Sequence, residues 1–409
     1  MTVFQIIALM LTLAAIFSFL NYKTLKLPTT IGLMFFSLLM SLTIIGLHAV
    51  GLDIESQAKV ILNSIDFNQT LMQGMLSFLL FAGALHVDLA RLSNQKWVIT
   101  MLATVGLLIS TLLVGITSWW ILGMLGFNVG LIWCLLFGSL ISPTDPIAVL
   151  AILKTAGAPA SLETKIAGES LFNDGVAVVV FIVLLGIAAG DEATPAHIGM
   201  LFVEEALGGA VFGLVIGYLA FLMLRSIDNY TVEILITLAL VAGGYAIAGA
   251  IHVSGPIAMV VSGLLIGNHG RAFAMSDKTR GHLDTFWELV DEVLNAVLFV
   301  LIGFEVLVLS FSGDIIVAGV IMIFVILVAR FISVVIPVLV LKASHQFSAG
   351  VTRILTWGGL RGGISVALAL SLPPGEARDI ILPITYVVVV FSILVQGLTV
   401  GKLIKHYVK

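Results

Sequence analysis

Two carboxylates and two other polar side chains lie within an apolar segment, GESLFNDGVAVVVFIVLL. In a helix, Glu169 lies one turn before Asn173, and Ser170 lies one turn before Asp174. An aspartate at mid-membrane disfavours insertion by about 2.5–3.5 kcal/mol, so such residues mark ion or proton pathways. These polar residues come early in the segment. An alternative interpretation is therefore that they lie at the end of the helix and extend to the membrane–water interface.

A second segment, SLISPTDPIAVLAILK, carries two prolines three residues apart. Pro143 lacks an N–H group and disfavours helical backbone in the preceding residue, so a helix should end there. Asp145 followed by Pro146 is a typical helix start, with a capping carboxylate and then proline in the first turn. The pattern predicts two half-helices joined by an extended piece that holds Thr144 and Asp145. A simple proline kink is the alternative.

A third segment, TWGGLRGGISVALAL, places Arg361 between two glycine pairs. Each glycine inside a helix costs about 1 kcal/mol relative to alanine, so this motif predicts a second interruption. Arg361 is then a buried cation. We predict that Glu169 is its partner, since removing one member of a buried ion pair costs about 3–5 kcal/mol. Asp174 is left free for a proton or a bound cation.

Oxygen atoms dominate the predicted site. Thr144, Ser170 and Asp174 offer hydroxyl and carboxylate oxygens, with Asn173 and Asp145 beside them. Oxygen is the ligand that hard cations such as Na⁺ or K⁺ prefer. No His or Cys cluster has the spacing of a transition-metal site. The expected metal is therefore a transported ion, and no cofactor is expected.

The composition is that of a membrane protein. Of the 409 residues, 60% are hydrophobic and 10% are charged, and the mean hydropathy is +1.18, whereas soluble domains carry about 25% charged residues. Apolar runs long enough to cross a bilayer recur along the whole chain. The predicted fold is an all-α polytopic membrane protein with thirteen transmembrane helices, at residues 3–21, 29–50, 69–88, 97–126, 129–153, 164–189, 197–224, 230–250, 255–268, 286–310, 314–341, 350–371 and 379–405.

The two interrupted helices are the fifth and the twelfth of this series. Helices 1–6 and 8–13 then form two six-helix repeats with helix 7 as a linker, and the second repeat is inverted because the offset of seven is odd. Interruptions at matching positions of inverted repeats point to the substrate site of a transporter.

The basic residues predict the orientation. With the N-terminus outside, the external loops hold only Lys59 and Arg378, while Arg330 and Arg361 fall within spans. The other fifteen of the nineteen Lys and Arg residues are then cytoplasmic, as the positive-inside rule requires. The sequence predicts an N-terminus outside, a C-terminus in the cytoplasm, and a single membrane domain without a soluble regulatory domain. Membrane lipids are the expected surroundings, and no basic stripe indicates nucleic acid.

Two further groups allow two readings each. Four polar residues open the tenth span on its cytoplasmic side, namely Glu288, Asp291, Glu292 and Asn295. They form either a funnel that attracts cations or a helix start with acids favourable at its N-terminus. His86, near the cytoplasmic end of the third span, is either an ordinary interfacial residue or a gate or pH-sensing group.

Arg330 is the other cation within a span. Its predicted role is structural, and Glu305 or Glu233 are the partners considered for it.

The segments SPTDPIAVLAILK, GESLFNDGVAVVVF and GGLRGGISVALAL resemble the motifs of helices 5, 6 and 12 in NhaP-type monovalent cation:proton antiporters, which are relatives of the animal sodium/proton exchangers. The resemblance implies that Asp174 binds the ion or proton, that Asn173 and Thr144 belong to the site, and that Glu169 pairs with Arg361. Many relatives carry a glutamate in helix 3 where this chain has Ala82, which removes any role of that carboxylate in ion choice.

The resemblance also implies an architecture and an activity. A homodimer is expected, with a moving core at about 97–189 and 314–405 and a dimerisation part at about 1–88 and 197–310. The activity implied is exchange of Na⁺, with K⁺ or Li⁺ as alternatives, for H⁺ by alternating access, for pH and cation homeostasis in a bacterial or archaeal plasma membrane. The asparagine before Asp174 resembles the electroneutral branch, which indicates 1:1 exchange.

The sequence leaves two other classes of protein as alternatives. A cation channel would need no proton coupling. An intramembrane aspartyl protease would use Asp145 and Asp174 as a catalytic pair, but this chain lacks the Gly-x-Gly-Asp signature of such enzymes. The sequence therefore favours a transporter over an enzyme.

Overall fold

The computed structural model describes residues 2–50, 56, 59, 62, 70–190, 194–343, 345, 347–348 and 350–407. Regular structure in these residues is helical, apart from one isolated antiparallel bridge between Asp145 and Leu360. The helices are α1 (Val3–Lys23), α2 (Thr29–Ala49), α3 (Leu76–Leu85), α4 (Leu89–Asn94), α5 (Lys96–Met124), α6 (Leu131–Ile141), α7 (Ile147–Ala156), α8 (Ala160–Ala189), α9 (195–225), α10 (Tyr230–Ala250), α11 (Gly255–Leu265), α12 (Asp277–Glu305), α13 (Gly313–Leu341), α14 (Val351–Trp357), α15 (Gly363–Leu370) and α16 (Glu376–Tyr407).

Eight of the described helices are long and apolar enough to cross a membrane, namely α1, α2, α5, α8, α9, α10, α13 and α16. The other helices are short, broken or polar at one end. All of them except α4 overlap the remaining predicted spans, and α4 lies between the third and fourth predicted spans. This arrangement confirms the all-helical class and is consistent with thirteen spans. Helix α12 differs in extent, since it begins at Asp277 rather than at the predicted 286. Its first turns are polar, so hydropathy alone did not register them as helix.

Both predicted interruptions are present. Helix α6 ends at Ile141, directly before the Ser142–Pro143 step, and α7 starts at Ile147. The Asp145 carboxylate accepts a hydrogen bond from the Ile147 N–H (2.9 Å), as an N-cap does. Helices α14 and α15 are separated in the same way by residues 358–362. The extended backbone at Asp145 excludes the simple proline kink.

The larger hydrophobic core joins α1, α2, α5–α8, the second half of α12, and α13–α16. A second core joins α3, α9–α11 and the first half of α12. Helix α12 therefore belongs to both cores. Its second half is held against α2 by two serine hydroxyls, of which Ser41 donates to the Gly303 carbonyl (2.9 Å).

The start of α12 is anchored by hydrogen bonds to the connection between α9 and α10. The hydroxyls of Ser276 and Thr279 donate to the Asp228 carboxylate, at 2.8 and 3.0 Å. These two hydrogen bonds lower the pKa of Asp228. The acidic face of α12 begins just beyond this anchor, so its position is tied to the α9–α10 connection.

Candidate ion-binding site

The two interrupted helices cross, and their extended pieces pair with each other. The Asp145 N–H donates to the Leu360 carbonyl at 2.7 Å. The next residue of the second break, Arg361, is held to α16 because its N–H donates to the Ser392 hydroxyl (2.8 Å). Gln396, one turn further along α16, donates to the Trp357 carbonyl (3.0 Å). Backbone groups that the breaks leave unpaired therefore find partners within the crossing.

Arg361 does not bind Glu169, so this predicted pairing is wrong. Its side chain is 2% exposed and donates from Nη1 to the carbonyls of Ser142 (2.5 Å) and Pro143 (2.9 Å). These are carbonyls at the C-terminal end of α6, where a helix concentrates negative partial charge. Arg361 thus caps the half-helix of the opposite repeat.

Glu169 is paired with Arg330 instead. Arg330 Nη1 lies 2.5 Å from Glu169 Oε1, and the two side chains are 6% and 2% exposed. The Nε and Nη2 groups of Arg330 both donate to the Leu355 carbonyl, at 3.3 and 3.1 Å. Arg330 therefore neutralises Glu169 and caps the C-terminal end of α14. Pairing of Arg330 with Glu305 or Glu233 is excluded, while the predicted structural role fits this geometry.

The glycines around Arg361 are required by close contacts. A Cβ atom at Gly359 would lie 2.6 Å from Arg330 Nε, and one at Gly362 would overlap the Asp145 carboxylate. Gly362 is the N-cap residue of α15. The carboxylate of Asp145 is thus near the N-terminal ends of both α7 and α15, where positive partial charge stabilises an anion.

Thr144, Asn173 and Ser170 form a small hydrogen-bonded network. Asn173 Nδ2 donates to Thr144 Oγ1 (3.0 Å), and the two hydroxyls of Thr144 and Ser170 are 3.0 Å apart. The Thr144 N–H also points to Asn173 Oδ1 at 3.4 Å. Helix α8 therefore holds the first extended piece in place, next to Asp174.

Asp174 lines a cavity of about 700 Å³, together with Thr144 and Asp145. Its side chain is partly exposed there, and within the described part of the chain it forms no hydrogen bond or ion pair. Glu169, Arg330 and Arg361 do not line this cavity. Both guanidinium groups instead line a water-sized cavity of about 10 Å³ on α13, α14 and α16.

One face of α12 forms the acidic side of the cavity. Asp284, Glu288, Asp291 and Glu292 line it and recur at helical spacing. Glu288 and Glu292 are exposed and Asp291 is partly buried, while Asn295, one turn deeper, is buried. The acidic residues therefore mark a path from the surface to Asp174. Among the described residues that line this cavity, none is Lys or Arg.

Helix α3 forms another wall of the cavity, with Ala82 and His86 among its lining residues. His86 is exposed, and its Nδ1 lies 2.8 Å from the Ala82 carbonyl. In the tautomer that donates this bond, the other ring nitrogen is left for solvent or cavity contacts. Ala82 is buried and adds no oxygen ligand from its side chain.

Two polar residues at the site carry side-chain oxygens without a partner. Asn295 Oδ1 and Ser365 Oγ are buried, line the cavity, and have no hydrogen-bond partner within the described residues. The Asn295 amide is oriented by its Nδ2 group, which donates to the Asp291 carbonyl (2.9 Å). The sequence motifs did not indicate Ser365 as a site residue. The signal that marks it is a hydroxyl side chain in the apolar run that follows the second glycine pair.

Two broken helices that cross beside a carboxylate in the membrane define an ion-coupled membrane transporter. Residues 8–406 match the family model described as sodium/hydrogen exchanger, transmembrane. The chain belongs to this family, which confirms the resemblance carried by the three motifs.

Full-length relatives agree with this assignment. The chain is 53% identical over 408 residues to the Na(+)/H(+) antiporter NhaP of Pseudomonas aeruginosa, covering 98% of this chain and 96% of that protein. It is 37% identical over 390 residues to the Na(+)/H(+) antiporter NhaH of Halobacillus dabanensis, covering 94% and 93%. The solved structure of the sodium proton antiporter MjNhaP1 from Methanocaldococcus jannaschii has the same fold, with a TM-score of 0.76 at 19% identity and coverage of 98% and 97%.

The observed ion pair yields a prediction about stability. Arg330→Met leaves Glu169 charged and buried without its partner, so we expect a loss of about 3–5 kcal/mol and a lower melting temperature in detergent. The double variant Glu169→Leu/Arg330→Met removes both charges and should recover most of that loss. The measurement is a double-mutant cycle by thermal unfolding.

The matched control is the cycle of Glu169→Leu with Arg361→Met, in which the coupling energy should be smaller because Arg361 donates to backbone carbonyls and not to Glu169. A coupling energy larger in this cycle than in the Arg330 cycle would contradict the observed pairing.

Proposed function

We propose that this protein exchanges a monovalent cation for H⁺ across the membrane, with both ions competing for the carboxylate of Asp174. The observation that carries the proposal is that Asp174 lines the cavity without a protein partner among the described residues. Glu169 is neutralised by Arg330, and Asp145 caps a helix. A carboxylate in this position is stabilised by a cation or by a proton, and it cannot hold both at once.

The surrounding atoms suit a cation such as Na⁺. Thr144, Asn295 and Ser365 line the cavity, and the side-chain oxygens of Asn295 and Ser365 have no partner among the described residues. The Ser170 hydroxyl does not line the cavity but lies 3.0 Å from the Thr144 hydroxyl. Hydroxyl, amide and carboxylate oxygens are the ligands that hard cations take. The relatives are named Na⁺/H⁺ antiporters, so we propose Na⁺ as the substrate, with K⁺ and Li⁺ as alternatives, and a role in pH and cation homeostasis.

We propose 1:1 electroneutral exchange. In each cycle Asp174 would carry one Na⁺ in one direction and one H⁺ in the other, so no net charge would move. The neighbouring side chain, Asn173, is an amide engaged with Thr144 and does not titrate. No enzymatic step and no resident cofactor form part of this proposal.

We propose that the protein works as a homodimer in a bacterial or archaeal plasma membrane, with the N-terminus outside. The moving core would comprise about 97–189 and 314–405, and the dimerisation part would comprise about 1–88 and 197–310. The position of the cavity supports this division, because α3 and α12 face the crossing across it. Relative motion of these walls would change the side from which Asp174 is reached.

The other classes fit less well. A protease would need Asp145 and Asp174 to share a catalytic water, but the Asp145 carboxylate caps α7 and packs against Gly362. A channel would need no proton coupling, whereas the cavity is lined by the carboxylate of Asp174, which can bind a proton.

Asp174→Asn should reduce Na⁺-driven proton flux in everted vesicles to that of vesicles without the protein. The amide keeps the shape of the side chain but can neither take up a proton nor neutralise a cation. The flux is measured by dequenching of a pH-sensitive dye after addition of Na⁺, K⁺ or Li⁺ in turn.

The matched control is Asp314→Asn, an exposed aspartate that starts α13 away from the cavity. It should exchange ions like the parent protein. Cation-driven proton flux that persists in a folded Asp174→Asn variant would remove the basis of the proposal.

An imposed membrane voltage should leave the exchange equilibrium unchanged. Moving one net charge per cycle would shift the equilibrium Na⁺ gradient by about 50-fold per ~100 mV. The test is the Na⁺ gradient at which flux reverses in proteoliposomes clamped with valinomycin and K⁺. A shift of that gradient with voltage would exclude 1:1 exchange while leaving Asp174 as the carrier.

The acidic face of α12 should raise the local cation concentration. Glu288→Gln/Glu292→Gln is expected to increase the apparent KM for Na⁺ by up to about tenfold at low ionic strength. The difference should shrink at high salt, where exposed charges are screened. The control Glu163→Gln/Asp277→Asn removes the same charge from residues that do not line the cavity. Equal KM increases in both variants would point to a general surface-charge effect and contradict the funnel.

A further inference from the structure

A second large cavity lies where the end of α13, the start of α14 and the end of α16 meet. Its volume is about 670 Å³, and its described lining residues include three basic ones, Lys342, His345 and Arg353, and no acidic one. It shares no lining residue with the cavity at Asp174. None of the residues assigned to ion binding lines it, and it therefore calls for a separate explanation.

The wall of this second cavity changes from apolar to basic along α13. Val338 and Leu339 line the cavity on the last turn of that helix, and Lys342 follows directly. Leu339 and its neighbour Val340 are 62% and 59% exposed, as expected of side chains that face lipid. A cavity with an apolar wall at the membrane edge and a basic end beyond it matches an amphiphile with a negatively charged head.

Two cations at this cavity, Arg353 and Lys165, are positioned by aromatic rings. Arg353 donates to the Tyr407 hydroxyl, and its guanidinium carbon lies 5.6 Å from the centre of that ring. Behind the cavity, the buried Lys165 places Nζ 5.2 Å from the ring of Phe347, which is a lining residue. Neither they nor Lys342 forms an ion pair with a carboxylate in the described residues. Contact with a ring orients a cation but keeps its charge.

The cavity is tied to the transport machinery by Tyr407. The ring of Tyr407 occupies the space that a Cβ atom at Gly350 would take, and Gly350 has a positive φ of 74°. Gly350 precedes α14, the half-helix whose C-terminal end carries the break with Arg361. A ligand in this cavity would therefore join α13, α14 and α16, which all support the crossing.

We propose that this cavity binds the phosphate head of an anionic phospholipid from the leaflet on the cytoplasmic side. Lys342 and Arg353 contact the phosphate, while the acyl chains lie along Val338 and Leu339. Binding stabilises the crossing of the two broken helices. Lys and Arg residues at the membrane surface favour anionic lipid by about fivefold each, and this face follows the same positive-inside pattern as the rest of the chain.

The test uses the full-length chain purified in detergent, with phosphatidylglycerol titrated against phosphatidylcholine at constant total lipid. The readouts are the melting temperature and the number of bound lipids by native mass spectrometry. Phosphatidylglycerol should stabilise the parent protein, and Lys342→Gln/Arg353→Gln should weaken that effect by at least about fivefold in concentration. If the double variant does not fold, the single variant Lys342→Gln is measured in the same titration.

The matched control is Arg225→Gln/Lys278→Gln, which removes two exposed basic residues from the same face of the protein outside this cavity. It should respond to phosphatidylglycerol like the parent. The proposed site would be contradicted if both double variants lost the response to phosphatidylglycerol equally, or if neither lost it. In a separate arm, glycerol phosphate is added to protein in phosphatidylcholine, and stabilisation equal to that by phosphatidylglycerol would overturn the assignment to a lipid.

Discussion

The structure depends on one constraint, which is that interrupted backbone in a membrane must find partners inside the protein. Pro143 and the glycines around Arg361 break two helices at the same depth. Each break provides hydrogen-bond partners for the other. The Asp145 N–H donates to the Leu360 carbonyl, and Arg361 donates to the carbonyls at the end of α6. A backbone group that is left without a partner away from water would cost several kcal/mol. The crossing is thereby held in a single arrangement.

The same geometry places the charges. The C-terminal ends of α6 and α14 are capped by Arg361 and Arg330, and the N-terminal ends of α7 and α15 lie near Asp145. Glu169 balances one arginine directly. Both cations lie behind the crossing, so the open side of the site is lined by oxygen atoms and acidic groups. A cation that enters along α12 meets no fixed positive side chain among the described lining residues.

The elements of the site were largely predictable from sequence, but their partners were not. The Pro143–Pro146 segment and the two glycine pairs predicted the breaks because proline and glycine act on local backbone. The four-residue spacing of Ser170 and Asp174 predicted a shared helix face for the same reason. No proline, glycine or spacing pattern indicated the partner of Arg330, since it lies within a continuous helix of 29 residues. Its contact with Glu169 depends on how α13 is rotated against α8.

The sequence by itself determined the membrane class, the helical order, the two interruptions and the family, because hydropathy, proline and glycine act over a few turns. It also indicated that a carboxylate at position 174 lies among oxygen ligands. Only the tertiary structure decided that Glu169 belongs to Arg330, that Arg361 caps a half-helix, and that Asn295 and Ser365 lie at the cavity with free oxygens. These contacts join residues that are far apart in the chain. Which buried charges pair depends on their distance and orientation in the folded protein, and the spacing of residues along one helix does not determine either.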